Sequence, residues 1–226
     1  MADSSSLSAV RPSFQPGSVP NESPATQRIV DALKLQQHIE GGYFLETDRD
    51  SFRIPNPFLN QPRAAGAVTA APAGEDSTRA ASTTIFYYLT PRTSLGAFHR
   101  NRGRTIHTLH RGRGRYLLIH ADEVAGQPGK KARVETFVVG HDVATGEKLQ
   151  WIVEGGKFKA SFLLPDHEGG SDSEGLLISE TVIPGFEYSD HDFMVPEQLS
   201  ELVTPEEAEQ LSWLLRKGPP PKAEEL

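Results

Sequence analysis

Residues 83–119 read TTIFYYLTPRTSLGAFHRNRGRTIHTLHRGRGRYLLI. Three runs stand out, at 83–89, 105–109 and 115–119, separated by Pro91, Gly103, Gly112 and Gly114. They are rich in β-branched and aromatic residues and too short for independent helices. Similar runs follow at 134–139, 149–153, 159–164 and 176–182, with Gly140 and the pair Gly155-Gly156 between them. Many short strands at near-regular spacing predict a sandwich or barrel. Residues 42–195 carry this β texture, and no solenoid-type repeat interrupts it.

Helical signals lie at both ends. Ser23 is an N-cap with Pro24 at the first helical position, and Ile29, Val30 and Leu33 recur at helical spacing before Gly41-Gly42. Near the C-terminus Thr204, Pro205 and Glu207 form a capping box. Ala208, Leu211, Leu214 and Leu215 follow as one apolar stripe, expected to pack outside the barrel and to stop at Lys217-Gly218. The expected organisation is a disordered tail at 1–25, a single domain at 26–217 and a polar tail at 218–226. An Ala/Pro/Gly-rich stretch at 61–82 is expected to be a flexible insertion.

Bulk properties exclude several function classes. The 226 residues carry a net charge of −7, which disfavours nucleic acid and anionic membranes as partners. There is no cysteine, hence no disulfide, thiolate metal site or cysteine nucleophile. No stretch is long and apolar enough to span a bilayer, and the start lacks a secretory core, so a cytoplasmic location is expected. Gly-x-Ser-x-Gly and dinucleotide fingerprints are missing, which disfavours serine hydrolases and NAD enzymes.

Five blocks in order resemble one family. They are HIEGGYFLET at 38–47, STTIFYYL at 82–89, the stretch from Ser94 through His99-Arg100 to Gly112, VEGGKFK at 153–159, and VIPGF at 182–186. Together they resemble the cupin_5 (DUF985-like) family of the RmlC-like cupin superfamily. The resemblance implies a mainly β double-stranded β-helix, a jelly-roll barrel with a helix near each terminus. It also implies a homodimer and a pocket for a small-molecule ligand inside the barrel. Cupins include metal-dependent enzymes, metal-free epimerases and binding modules, so the fold alone does not select the chemistry.

In metal-binding cupins a His-x-His motif, a following Glu and a later His hold the ion. Residue by residue, those positions carry His99, Asn101, Thr105 and Lys159. One good ligand, two weak neutral ones and a cation make a poor divalent site. No cofactor is expected, and a divalent transition metal is disfavoured. The alternative uses strand alternation: if Thr105 faces inward, so does His107. His99 and His107 then pair in the lumen as a proton-transfer couple, or hold a metal with a carboxylate such as Glu40 or Glu46.

Other candidates surround that pair. Lys159, among apolar neighbours, is a base, imine former or substrate anchor if buried, although a stem that packs while its head reaches the barrel mouth explains it as well. Glu40 before a double glycine, with Tyr43, suits a general base and acid; a barrel-edge salt bridge is the structural alternative. Arg100, Arg102 and Arg104 are expected on the outer face, as solvated charges or an anion site. His110, His120, His141, His167 and His191 receive no role. The expected function is a metal-independent isomerase, epimerase or cyclase using His99, His107, Glu40, Tyr43 and Lys159. Tyr87, Phe98, Asn101, Thr105 and Phe158 are expected to contact the ligand. The alternatives are a non-catalytic binding cupin and a metal-dependent cupin using His99 and His107.

Overall fold

Alternation decides which strand face is buried, and a strand covered on both faces loses it. The computed structural model describes residues 7, 10–61 and 76–218. In chain order the elements are α1 (Pro24–Ala32), β1 (Gln36–Gln37), β2 (Tyr43–Arg49), β3 (Arg53–Pro55), β4 (Thr78–Ala80), β5 (Thr83–Leu89), β6 (Leu95–Asn101), β7 (Arg104–Arg111) and β8 (Gly114–Ile119). Then follow β9 (Val134–Val139), β10 (Gln150–Val153), β11 (Phe158–Leu163), β12 (Leu176–Ile183), β13 (His191–Phe193), α2 (Pro196–Leu202) and α3 (Pro205–Leu211).

Two antiparallel sheets carry the fold. One has six strands in the order β1-β2-β5-β12-β7-β10, the other five in the order β13-β6-β11-β8-β9. β3 and β4 form a separate hairpin-like pair. The many long crossovers between neighbours are those of a jelly roll.

Three apolar clusters fill three spaces. Tyr87, Leu89, Leu109, Tyr116, Leu118, Trp151, Leu163 and Ile178 meet between the sheets and form the lumen core. Phe98, Leu117, Ile119, Phe158 and Phe162 point the other way, against Leu199, Leu211 and Leu214 of the C-terminal helices. Tyr43 and Tyr88 pack with Val30 and Leu35 beneath α1. β8 is buried at all six positions because it is covered on both faces.

Three segments differ from expectation, one at each end and one internal. Val10 joins the cluster under the C-terminal helices, and Phe14 packs against the lumen core. The Phe14 carbonyl accepts from Ser94 Oγ at 3.0 Å, and Gly17 N–H donates to the Arg92 carbonyl at 2.8 Å. The chain from residue 10 is therefore docked, since Leu7, Val10 and Phe14 supply enough apolar surface to hold it. The earlier part of the expected tail, residues 1–6, 8 and 9, lies outside the described residues. Of the expected insertion at 61–82, residues 62–75 also lie outside them, and residues 78–80 form β4. There Arg79, 1% exposed, pairs with Asp190 at 2.7 Å. Finally, α3 stops at Leu211 and the stripe continues as a 3₁₀ turn over Ser212–Leu214, while α2 precedes it with Pro196 in its first turn. Residues 219–226 are outside the described set. No helix among the described residues is long and apolar enough to cross a membrane.

Candidate functional site

Parity and register assemble the site. β7 buries Thr105, His107 and Leu109 and leaves the alternate residues more exposed. His107 lies directly across from Glu180 on β12, and on its other side from Trp151 on β10, whose indole stacks on it at 5.0 Å. In the facing sheet His99 on β6 pairs with Lys159 on β11, and Asn101 pairs with His191 on β13. The two sheets therefore aim imidazoles, a lysine and a carboxylate at a common interior.

Lys159 crosses that interior. Its Nζ lies 2.5 Å from Glu180 Oε2 and donates to His107 Nε2 at 2.9 Å, and His107 Nε2 is 3.3 Å from the same carboxylate oxygen. Lys159 is 2% exposed and His107 0%. The lysine head thus does not reach the barrel mouth; an internal carboxylate meets it instead. Burial alone would push the Glu180 carboxyl up, but Lys159 and then His107 more than offset this and hold it well below the usual carboxylate range. Burial, together with the Lys159 charge, pushes His107 down, so its ring is neutral at physiological pH.

Glu40 forms a second centre. It sits between β1 and β2 in a tight loop in which Gly41 N–H donates to the His38 carbonyl and Ala97 N–H to the Glu40 carbonyl. Gly41 has φ +104°, and a Cβ there would lie 2.0 Å from the Leu95 carbonyl oxygen, so the loop requires glycine. Glu40 Oε1 is 2.8 Å from His191 Nε2, and Oε2 is 3.3 Å from His99 Nε2 and 3.5 Å from His38 Nδ1. His99 and His191 stack, with centroids 5.2 Å apart and planes 11° apart. Burial opposes the Glu40 charge; His99 and His38 beside it and the His191 hydrogen bond outweigh burial and keep its carboxyl well below the ordinary range. Burial pushes His99 down to about 3, only partly opposed by Glu40.

Both centres reach one cavity of about 220 Å³. Glu40, Glu180, Asn101 and His38 line it, with Phe44, Ile85, Val182 and Phe186 as apolar wall. Arg49 is also on this wall, held by Glu46 at 2.8 Å and Glu187 at 2.9 Å.

Several sequence expectations need correction. His99 and His107 do not pair: His99 meets Glu40 and His191, and His107 meets Lys159 and Glu180. Tyr43 is not Glu40's acid partner. It faces α1, donates to Glu22 at 2.8 Å and accepts from Arg92 at 3.2 Å, because its neighbour Phe44 takes the pocket side. Phe98 and Phe158 cannot share the lumen with their neighbours His99 and Lys159, and both pack under the C-terminal helices. Tyr87 does sit in the lumen core and donates to the Gly41 carbonyl at 2.9 Å. Thr105 is buried beside Val153 and Val182, and Asn101 lines the cavity. The arginines form no anion site: Arg100 pairs with Asp192 at 3.0 Å, Arg104 with Glu154 at 3.2 Å, and Arg102 donates to the Phe58 carbonyl.

Glu180 and His191 are functional candidates that sequence reasoning missed. Alternation in 176–182, extended to the inward His107, was a usable signal for Glu180. His191 lies in a polar stretch, EYSDHD, whose return to the barrel edge has no periodic signature.

The four metal positions implied by the cupin motif do not fit an ion. Lys159 is already bonded to Glu180 and His107, and Thr105 offers no carboxylate. A different group does bring ligand types together: one ligand atom each from Glu40, His99 and His191 lie within 4.8 Å of one another.

Comparisons with known proteins agree with this architecture. The chain is 41% identical over 208 residues to an uncharacterised Saccharomyces cerevisiae protein, YML079W, covering 91% of this chain and 94% of that one. A solved structure of a hypothetical protein from Leishmania major superposes with a TM-score of 0.67 at 26% identity, covering 87% of this chain and all of that one. Protein SO0799 from Shewanella oneidensis superposes with a TM-score of 0.62 at 21% identity, over 85% of this chain and 98% of the other, which supports the fold. The family described as Cupin superfamily (DUF985) matches residues 27–194, and with the jelly-roll topology and the ordered motif blocks the chain belongs to that family.

Proposed function

We propose that this protein takes a small molecule into the lumen cavity and moves a proton on it, in the sense of an isomerase, epimerase or cyclase. One observation carries the reading: Glu40 and Glu180 line the same cavity of about 220 Å³, each tied within hydrogen-bonding distance to other titratable groups. Convergent, strongly perturbed ionisable groups in a concave and partly apolar pocket are the usual mark of acid/base work.

In this reading Glu180 takes the substrate proton only transiently, because the Lys159 pair that holds its carboxyl low makes it a weak base and favours return of the proton. Lys159 and His107 are positioning residues: Lys159 fixes the carboxylate and compensates its charge, His107 accepts from Lys159 and holds it in place, and neither lies on the cavity wall. When the proton moves to Glu180, the ion pair with Lys159 becomes a hydrogen bond, and return of the proton restores it. Phe44, Ile85, Val182 and Phe186 hold the apolar part of the ligand and exclude water, which strengthens the electrostatics of the exchange.

The test begins with the ligand itself. Native mass spectrometry of the purified protein identifies what the cavity retains. That compound is then incubated with the protein in D₂O. A gain of one mass unit in the recovered compound, lost in Glu180→Gln, is the expected result. Retention without deuterium uptake would mean that the pocket stores or senses its ligand and would overturn the catalytic reading.

A further inference from the structure

Buried carboxylates in this fold are paired with permanent cations. Glu180 has Lys159, Asp190 has Arg79, Asp192 has Arg100, and Glu187 has Arg49. Glu40 differs. At 9% exposure, its ion-pair partners among the described residues are imidazoles alone, from His38, His99 and His191. Among the described residues no permanent cation pairs with its buried charge.

We propose that Glu40, His99 and His191 bind a divalent first-row transition metal, at a place that the cupin motif positions do not supply. Only His99 belongs to that motif. Glu40 comes from the β1–β2 loop and His191 from β13, whereas the motif positions 105 and 159 hold a threonine and an engaged lysine. The proposal deepens the reading of the lumen as the working site, and rests on that reading for the ion's use but not for its binding.

The His99 ring is oriented for ligation. Its Nδ1 is 2.8 Å from the Ala97 carbonyl oxygen, which only accepts, so Nδ1 carries the proton. Nε2 is then the ring nitrogen left to ligate, and it faces Glu40 Oε2 at 3.3 Å. An ion placed between the two atoms would be ligated by both. A backbone carbonyl on the far nitrogen is also the usual way a metal-binding histidine is oriented.

The remaining ligands fit. His191 Nε2 lies 2.8 Å from Glu40 Oε1 and leaves Nδ1 without a partner, so a shift of its proton to Nδ1 frees Nε2 for the ion. Metal–ligand bonds of roughly 2.0–2.2 Å set neighbouring ligands of one ion about 3 Å apart. The 2.8 Å contact of His191 to Glu40 Oε1 and the 3.3 Å contact of His99 to Oε2 match that spacing for a carboxylate that ligates through both oxygens. Two imidazoles and a carboxylate suit Zn, Mn, Fe, Co or Ni better than Ca or Mg. Asn101 adds an oxygen donor nearby: it is 8% exposed, its Oδ1 has no hydrogen-bond partner, and it lines the same cavity as Glu40. That cavity gives the ion its route of entry and gives a ligand access to any open coordination position.

The experiment uses the full chain purified without a His-tag. It is stripped with chelator, reloaded with Zn²⁺, Mn²⁺ or Co²⁺ in turn, desalted, and measured by elemental analysis. Roughly one equivalent of at least one of these ions is expected. Co²⁺ is expected to produce visible d–d absorption that saturates at one equivalent. His191→Gln and Glu40→Gln should each lower occupancy more than tenfold, while His107→Gln, outside the site, should not change it. Circular dichroism and the Tm in chelator check that each variant is folded. Less than roughly a tenth of an equivalent of every ion in the wild-type protein would overturn the proposal. So would full occupancy in folded His191→Gln. Neither result touches the D₂O exchange assay, so failure of the metal site and failure of the catalytic reading are separable.

Discussion

The His99 and His191 rings stack 5.2 Å apart, nearly parallel, with the Glu40 carboxylate bridging their Nε2 atoms. Adjacent strands provide this arrangement: His191 pairs in register with Asn101 and Phe193 with His99, so two imidazoles from one sheet edge lie side by side. The β1–β2 loop then brings Glu40 across them. A carboxylate on a glycine-constrained loop and two histidines on rigid strands make a site with little freedom to rearrange.

Removing His191 should therefore show in stability as well as function. His191→Ala deletes the 2.8 Å hydrogen bond to a buried carboxylate and leaves a cavity beside Phe193. The expected cost in chelator is about 2–4 kcal/mol, from the lost charge-assisted bond and the lost packing. His191→Gln keeps a donor and should cost roughly half as much. Urea unfolding measures both, and equal losses would show that packing, not the hydrogen bond, matters.

The Lys159–Glu180 pair makes a sharper prediction. Lys159→Met leaves Glu180 ionised and buried with only His107 beside it, and should cost about 3–5 kcal/mol. Lys159→Met with Glu180→Leu removes both charges and should recover most of that loss, because an apolar replacement of a buried ion pair is often neutral. The double-mutant cycle reports the coupling. A double variant as unstable as the single one would mean that the polar network itself specifies the lumen.

Strand positions were legible in the sequence because alternation and glycine punctuation are local signals: runs 83–89 and 134–139 match β5 and β9 end to end. The same alternation correctly aimed His99, Thr105, His107 and Lys159 inward. It also contradicted placing Phe98 and Phe158 there, since adjacent residues on a strand face opposite ways. The illegible part is long-range. Nothing near residue 191 announces that it will lie beside His99, and nothing near 180 announces a lysine across the barrel, because sheet order rather than spacing brings them together. Tyr43 failed for a related reason: its environment is α1, which only the tertiary packing defines.

Gly41 sets the position of Glu40, and substitution there should be costly. Gly41→Ala combines φ +104° with a Cβ 2.0 Å from the Leu95 carbonyl oxygen. Strain from the dihedral alone is about 1–3 kcal/mol, and the clash adds to it by displacing the loop. Gly146→Ala is the control, with a similar φ of +93° but no atom within 4 Å of the added Cβ. Thermal unfolding should show the larger loss for Gly41→Ala, and only that variant should impair ligand retention. Comparable losses would remove the steric argument for Gly41.

Acid should weaken the fold in two steps. His99 has a folded pKa of about 3 against 6.5 when unfolded, so between those values the unfolded chain binds the extra proton. Its contribution is present above pH 6.5 and is lost progressively as pH falls through that window. At pH 5 the loss is about 2 kcal/mol, taking about 1.4 kcal/mol per pH unit. His107, also lowered, acts in the same direction. Glu40 and Glu180 are held below the ordinary carboxylate value of 4.5, so their contribution is present above 4.5 and falls away below it. Urea midpoints in chelator at pH 7.5, 5.5 and 4 should decline throughout with an unchanged m-value. His99→Gln should flatten part of the decline between 7.5 and 5.5, leaving the shares of His107 and of His120, which is also lowered, and should keep the drop below 4.5. Stability that is level from pH 7.5 to 5.5 in the wild-type protein would mean that His99 is already protonated against Glu40, and that the pair is an ion pair rather than a carboxylate facing a neutral imidazole.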